Sequence, residues 1–245
     1  MSDSPTVAIQ GQPHAESHGH NPALLHHFAE PQQQRDAASL GMWIFLATEV
    51  MFFGGLFCAY LIYRLKYFPE FAAASQSLNW KLGATNTAVL ICSSLTVVFA
   101  VYAAQRAKRA MLLGNLVLTI LLGFGFLGIK AIEYADKFKE HHVPGPSFNF
   151  VQEGATSSNA GTGPAGINQG HVQIYFALYF VMTGLHALHM IIGIGFFTWL
   201  LYASWKGRFT PEWNTPVEMG GLYWHFVDIV WIYLFPLLYL IDLHK

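Results

Sequence analysis

Charge is what this chain has least of. Lys, Arg, Asp and Glu make up 11% of its 245 residues, where an ordinary soluble domain carries about 25%. With 53% hydrophobic and 16% aromatic residues, the sequence cannot cover a globule with a wet surface, so its class is a polytopic membrane protein. The formal net charge of -1 argues against nucleic acid as a partner, because a nucleic-acid surface needs a basic excess. Cysteine is almost absent. Cys58 and Cys92 both lie in apolar stretches, with no C-x-x-C or Cys/His spacing for a metal or redox centre, and read as small core or interface residues. The first residues also lack the basic start and apolar core of a secretory signal.

What the sequence has instead is five long apolar runs: Leu40–Tyr63, Leu82–Ala104, Met111–Ile132, Val172–Tyr202 and Leu222–Ile241. Each approaches or exceeds the ~20 residues a helix needs to cross ~30 Å of hydrocarbon. Helix is the conformation required there, because no water is present to satisfy an open backbone. The fold class is therefore all-α, a membrane bundle of five transmembrane helices. Gly55 and Ala59 form a small-xxx-small pair of the kind that lets helices approach closely. Residues 1–38 form a separate polar tail with His14, His18, His20, His26 and His27, and residues 39–245 form the membrane domain.

The connections are expected to be loops. Residues 65–81 hold Pro69 and end near Trp80, an interfacial anchor. A very short turn carries Arg106, Lys108 and Arg109, and residues 137–171 make a long Gly/Pro/Ser/Asn-rich loop with His141, His142 and His171. The fourth connection carries Lys206, Arg208, Pro211 and Pro216. With a cytoplasmic N-terminus, Lys and Arg divide evenly, six on each side. The Arg106–Arg109 cluster then decides, placing that turn and the N-terminus inside.

The functional question lies in the few ionisable groups inside the runs. Glu49 stands mid-run with no charged residue within a turn or two. Ionised at a helix centre it costs roughly 3 kcal/mol on insertion scales, so it needs a partner on another helix, a proton, or a task. Candidate partners are Glu133, His186, His189, His225 and Asp228. Lys130 and Glu133, three apart, share a face and can pair, and Tyr134 follows them. In the fourth run Tyr179, Thr183, His186 and His189 or Met190 form a polar stripe. In the fifth, Glu218, Gly221, His225 and Asp228 line one face. The spacing predicts that His225 and Asp228 meet and point inward at the fourth run.

Three uses of this set are open: packing glue between helices, metal ligation, or handling of lipid headgroups and protons beside a catalytic partner. Di-iron bundles need Glu-x-x-His on two helices, which is absent. His186 and His189 lie on one helix and cannot oppose each other across a haem.

The residues also resemble a known family. Trp43-Ile-Phe-Leu-Ala-Thr-Glu49-Val-Met-Phe-Phe53 looks like the glutamate helix of subunit III of haem-copper oxidases. Asn86-Thr87 with Ser93-Ser94, Glu133-Tyr134, Thr183-Gly184-Leu185-His186-Ala187-Leu188-His189 and Tyr223-Trp224-His225-Phe226-Val227-Asp228-Ile229-Val230-Trp231 follow in the family's order, covering about residues 40–242. Against the fuller members, this chain resembles a short five-helix form that begins at the glutamate helix, and Lys130 stands where a Gln is expected.

The resemblance implies a non-redox accessory subunit of a respiratory terminal oxidase in a bacterial cytoplasmic membrane. Such a subunit supports proton uptake and stability of the O2-reducing, proton-pumping catalytic subunit. No cofactor is implied in this chain, with haem and copper in partner subunits and bound phospholipid beside it. The implied partners are oxidase subunits I and II, other oxidase or supercomplex subunits, and membrane lipids. Glu49 would be the carboxyl near a proton path or lipid. Glu133, Tyr134, His186, His189, His225 and Asp228 would form a polar network, and no residue is catalytic. A quinol oxidase or a nitric oxide reductase accessory subunit is an alternative within the family. A stand-alone haem or di-iron membrane enzyme is an alternative outside it.

Overall fold

A computed structural model describes residues 30–140, 142–145, 148, 150, 168–209 and 213–241. The His-rich tail to residue 29 and residues 151–167 of the long connection lie outside the described residues. Among the described residues six helices follow in order: α1 (Pro31–Lys66), α2 (Phe68–Gln76), α3 (Trp80–Gln105), α4 (Arg109–Lys139), α5 (Gln169–Trp205) and α6 (Thr215–Tyr239). Five of them, all but α2, are long and apolar enough to cross a membrane, matching the five runs. The protein is an integral membrane helical bundle.

Local chemistry sets several of the helix starts. Asn79 and Asn168 cap α3 and α5, their side chains accepting from the backbone N–H of Lys81 and Gly170, which satisfies donors the helix itself leaves orphaned. Pro31, Pro69 and Pro216 occupy the first turns of α1, α2 and α6, where a missing N–H costs nothing. At the C-terminal end of α6, three hydroxyls from other helices supply what the last carbonyls lack. Tyr60 donates to the Leu237 carbonyl, and Ser75 and Tyr175 donate to that of Leu238, each at 2.7 Å.

Helices α3, α4, α5 and α6 form a ring, each touching its two neighbours, while α1 leans on α5 and α6 and has no close approach to α3 or α4. The helices come together where a side chain is missing. A Cβ added at Gly193 would meet the Trp224 ring at 3.0 Å, and one at Gly123 would meet the same ring and Ile194 at 3.1 Å. Gly220 admits Phe196 in the same way, Gly83 admits Phe235, and Gly221 admits Val101. Trp224, fully buried, is the wedge at the centre of this ring. The expected close approach at Gly55 is not there: a Cβ at Gly54 or Gly55 would meet nothing within 4 Å. Both glycines lie on the exposed side of α1, along with Trp43, Ile44, Met51 and Leu65. Cys58 and Cys92 are free and exposed as well, so neither is a core residue of this chain.

The 65–81 connection is more than a loop. Its helix α2 buries Phe71, Ala72, Ala73, Ala74 and Ser75 against the ends of α1, α5 and α6. A charged clasp fastens this end. The Glu70 carboxylate meets His171 Nδ1 at 3.0 Å, and the His171 ring stacks on Tyr67 at 3.7 Å. Lys137 donates to the Ser77 carbonyl and to Glu140. Burial pulls the Glu70 carboxyl upward, but hydrogen bonds from His171 and from the backbone outweigh it and hold the group below its ordinary value. That contribution is present above the ordinary carboxyl pKa of 4.5 and is lost as pH falls through the folded value.

His142 behaves oppositely in origin but alike in direction. It is buried in the α4–α5 connection, stacked on Phe176 and near Phe150. Burial first, then the Lys137 ammonium, holds the imidazole below its ordinary 6.5, against the pull of Glu140. The fold therefore favours neutral His142. Its contribution is full above pH 6.5 and is lost as pH falls from there through the lower folded value. Amide protection at His142 to Gly145 is expected to weaken as pH falls below 6.5. A His142→Phe variant keeps the ring stack and should lose that dependence. An unchanged acid response in the variant would place the titrating group elsewhere.

Candidate functional site

The ionisable groups gather in three separate clusters rather than one network. The first joins α4, α5 and α6. Lys130 Nζ lies 3.1 Å from Glu133 Oε2, both side chains only 4% exposed, as their spacing predicts. Lys130 also donates to Tyr239 at 2.8 Å and to Tyr179 at 3.3 Å. The Tyr179 and Tyr239 hydroxyls both donate to Glu133 Oε1, at 2.7 Å and 2.5 Å. The ammonium sits near the rings of Tyr134, Tyr179, Trp231 and Tyr239, between 5.0 and 5.5 Å from their centroids. A buried ion pair survives only with such extra partners. The Tyr134 hydroxyl leaves this group and pairs with Thr183 at 2.5 Å.

The second cluster lies at the seam between α1 and α5. Glu49 Oε2 is 3.2 Å from His189 Nε2, with the side chains 20% and 13% exposed. His189 Nδ1 rests 2.8 Å from the Leu185 carbonyl of its own helix, and the Tyr223 hydroxyl donates to the His189 carbonyl. Phe53 stands edge-on to the imidazole at 5.4 Å. Glu49 thus lies within ion-pair distance of an imidazole on another helix, without a formed hydrogen bond. The two side chains are partly open at the seam, but Glu49 Oε2 itself is buried and forms no hydrogen bond among the described residues.

The third cluster corrects an expectation. The face of α6 that carries Glu218, Gly221, His225 and Asp228 exists, but it meets α3, the second apolar run, and not the fourth. Gln105 donates to Glu218 at 2.8 Å, Gly221 receives Val101, and Ser94 Oγ lies 2.6 Å from His225 Nδ1. The expected meeting of His225 and Asp228 is not formed: among the described residues neither Asp228 oxygen has a hydrogen-bond partner, although the Ser94 hydroxyl lies near the carboxyl. The reason this face meets α3 is steric: glycine at 221 lets α3 in on this side, while Trp224 and Trp231 fill the centre, donating to Ser93 and Thr87 of α3. Helical spacing tells which side chains share a face but not which helix that face meets.

His186 joins none of these clusters. It is buried on the stripe with Tyr179, Thr183 and Met190, packed between Phe126 and Trp231, and among the described residues neither ring nitrogen has a hydrogen-bond partner. Sequence reasoning missed Tyr179 and Tyr239 as partners of the Lys130 pair. The signal was present only for Tyr179, which sits on the polar stripe of α5. Among the described residues, no three His, Cys, Asp or Glu side chains come together in a group that could hold a metal ion.

Comparison with known proteins bears on the same helices. The family model described as Cytochrome c oxidase subunit III matches residues 26–142 and 166–242. Over 203 residues the chain is 32% identical to a Nocardia farcinica protein named probable cytochrome c oxidase subunit 3, covering 83% of this chain and 87% of that one. It is 34% identical to cytochrome c oxidase subunit 3 of Corynebacterium diphtheriae, covering 83% and 88%. It is also 32% identical to the Gallus gallus subunit, covering 81% and 67%.

Proposed function

The chain belongs to the family of cytochrome c oxidase subunit III, accessory subunits of terminal oxidases, and we propose that it sustains proton uptake by the O2-reducing subunit and prolongs that subunit's working life. The observation that carries this reading is the Glu49–His189 pair. The pair is partly open, and it lies beside the exposed apolar side of α1, which carries Trp43, Ile44, Met51 and Leu65. An apolar surface of this extent calls for lipid or another membrane helix. Against a catalytic subunit, the pair becomes a proton-holding group at the edge of that subunit's uptake route. The buried Lys130–Glu133 cluster holds α4, α5 and α6 in register and has no such access, while the half-buried α3–α6 face lies away from α1.

The partners in this reading are subunits I and II of the oxidase, further respiratory subunits and bound phospholipid, with haem and copper held by the partners. The names of the bacterial relatives favour cytochrome c over quinol as the donor. We place the chain in a bacterial cytoplasmic membrane with the N-terminus inside. The support is that Arg106, Lys108, Arg109, Lys206 and Arg208 all come to the α1 N-terminal end of the bundle. At the other end Lys137 and Lys139 are paired with Glu140 and Asp136, while Arg64, Lys66 and Lys81 form no ion pair among the described residues.

Deleting this chain from the oxidase tests the reading. Haem absorbance and initial O2 consumption should remain, while the number of turnovers before inactivation falls by about an order of magnitude. Restoring the wild-type chain should recover it, and Glu49→Gln should assemble but recover it only in part. Loss of the haem bands on deletion would instead assign a cofactor to this chain. Full turnover number without the chain would remove its proposed role.

A further inference from the structure

We propose that the turns joining α3 to α4 and α5 to α6 together form a binding site for the headgroups of anionic phospholipids. The inference depends only on the chain crossing a membrane and not on its place in an oxidase. Topology brings both turns to one end of the bundle, and they are built alike. Each ends its helix with one residue in the left-handed region, Ala107 at φ 55° and Gly207 at φ 71°. In each, the next backbone N–H returns to a carbonyl five residues back, Lys108 to Ala103 and Arg208 to Ala203. Cations flank that residue on both sides: Arg106, Lys108 and Arg109 in one turn, Lys206 and Arg208 in the other. The Arg109 guanidinium ties the two together by donating to the Trp205 carbonyl beside Gly207.

The electrostatics are one-sided. Among the described residues, none of these five cations forms an ion pair with a carboxylate. The nearby Glu218 at the start of α6 is held by Gln105. All five are exposed, so the patch presents its charge outward.

The surroundings say which anion fits. Arg106 lies over the Tyr102 ring at 4.4 Å and Lys206 over the Tyr202 ring at 4.6 Å. Both rings are exposed one turn inside their spans, and Trp205 beside them is 67% exposed. Exposed Tyr and Trp with cations directly above them are what the boundary between acyl chains and headgroups favours. The cations stand within a few residues of the ends of four apolar spans, which is headgroup depth. An acidic protein domain would meet the same charge, but would not need the ring of exposed aromatics beneath it. Each Lys or Arg near an anionic leaflet strengthens binding about fivefold, so the patch should discriminate strongly by headgroup charge.

The test uses the purified membrane complex containing the full chain. It is incubated with equal amounts of phosphatidylglycerol and phosphatidylcholine of identical acyl chains, and the retained lipid is counted by native mass spectrometry. Wild type should retain phosphatidylglycerol over phosphatidylcholine by at least about tenfold more than the quadruple variant R106Q/K108Q/K206Q/R208Q. Arg109 is left in place because it braces the turns. Should the quadruple variant fail to assemble, the pairs R106Q/K108Q and K206Q/R208Q carry the test, each expected to lose about half of the preference on a logarithmic scale. The charge-conserving R106K/R208K variant should behave as wild type.

Inorganic phosphate at about 10 mM should not displace the lipid. Displacement would make this a free-phosphate site and overturn the lipid assignment. Equal lipid retention in wild type and the charge-removed variants would overturn it as well. So would loss of an acidic protein from the variants with lipid retention unchanged.

Discussion

Glu133→Ala is expected to lower the midpoint of thermal unfolding of the chain by roughly 10 °C, and to reduce its recovery in a purified complex several-fold. The Lys130 ammonium sits 4% exposed with Glu133 as its counter-charge. Truncating Glu133 leaves that ammonium with two tyrosine hydroxyls and a set of ring faces. Removing one member of a buried ion pair typically costs about 3–5 kcal/mol, mainly because the other is stranded. Tyr179 and Tyr239 lose their carboxylate acceptor at the same time, each a buried donor left unsatisfied while still accepting from Lys130. The double variant Lys130→Met with Glu133→Gln removes both charges and keeps an acceptor for the tyrosines. It should regain most of the lost stability, because apolar replacement of a whole buried pair is often neutral or better. If Glu133→Ala alone is harmless, the pair is dispensable. If the double variant is as damaged as the single, the cause is packing rather than a stranded charge.

Gly193→Leu should damage the fold strongly, while Gly55→Leu leaves the fold of the isolated chain intact. A Cβ at 193 already meets Trp224 at 3.0 Å and Tyr223 at 3.2 Å. The Trp224 ring has nowhere to go, since it is held by Ser93 at one side and closed in by Gly123 and Phe197 at others. Overpacking a full core typically costs about 1–3 kcal/mol, occasionally more, and here a whole leucine must be placed against a fixed indole. At Gly55 no atom lies within 4 Å of the added Cβ. Unfolding midpoints of the two purified variants, measured in the same detergent, decide it. Equal midpoints would show that the ring of helices is looser than these approaches imply.

Much of this architecture could be read in the chain before its fold was known, because a membrane leaves a helix few options. The five apolar runs became five spanning helices, and the runs' edges fell within a turn or so of several helix ends. Three ends run further: α1 starts at Pro31, ahead of Leu40, α4 continues to Lys139, past Ile132, and α6 starts at Thr215, ahead of Leu222, since polar residues continue a helix that periodicity of apolar residues alone does not mark. Helix α2 was hidden for a related reason. Nine residues rich in alanine carry too short a pattern to separate from a loop, and only the hydroxyls at the end of α6 and the clasp at His171 reveal why it is held in place.

The pairings were less legible than the helices. Lys130 and Glu133 could be paired from spacing because they share a helix face. Glu49 and His189 lie 140 positions apart on different helices, and several other groups were equally eligible as partners. His225 and Asp228 were assigned the wrong neighbour, because a helix face is fixed by sequence while its neighbour is fixed by where the large side chains can go. Here the glycine at 221 and the tryptophans at 224 and 231 made that choice.

The central claim is that this chain serves as the accessory subunit of a terminal oxidase, and purification through an affinity tag on the chain tests it most directly. Membranes are dissolved in mild detergent, and the subunits that come with the tagged chain are identified and quantified. The expected result is an equimolar haem- and copper-containing oxidase that consumes O2 with reduced cytochrome c as donor. Recovery of the chain alone, with a haem or metal centre of its own or with no oxidase subunit attached, would contradict the account.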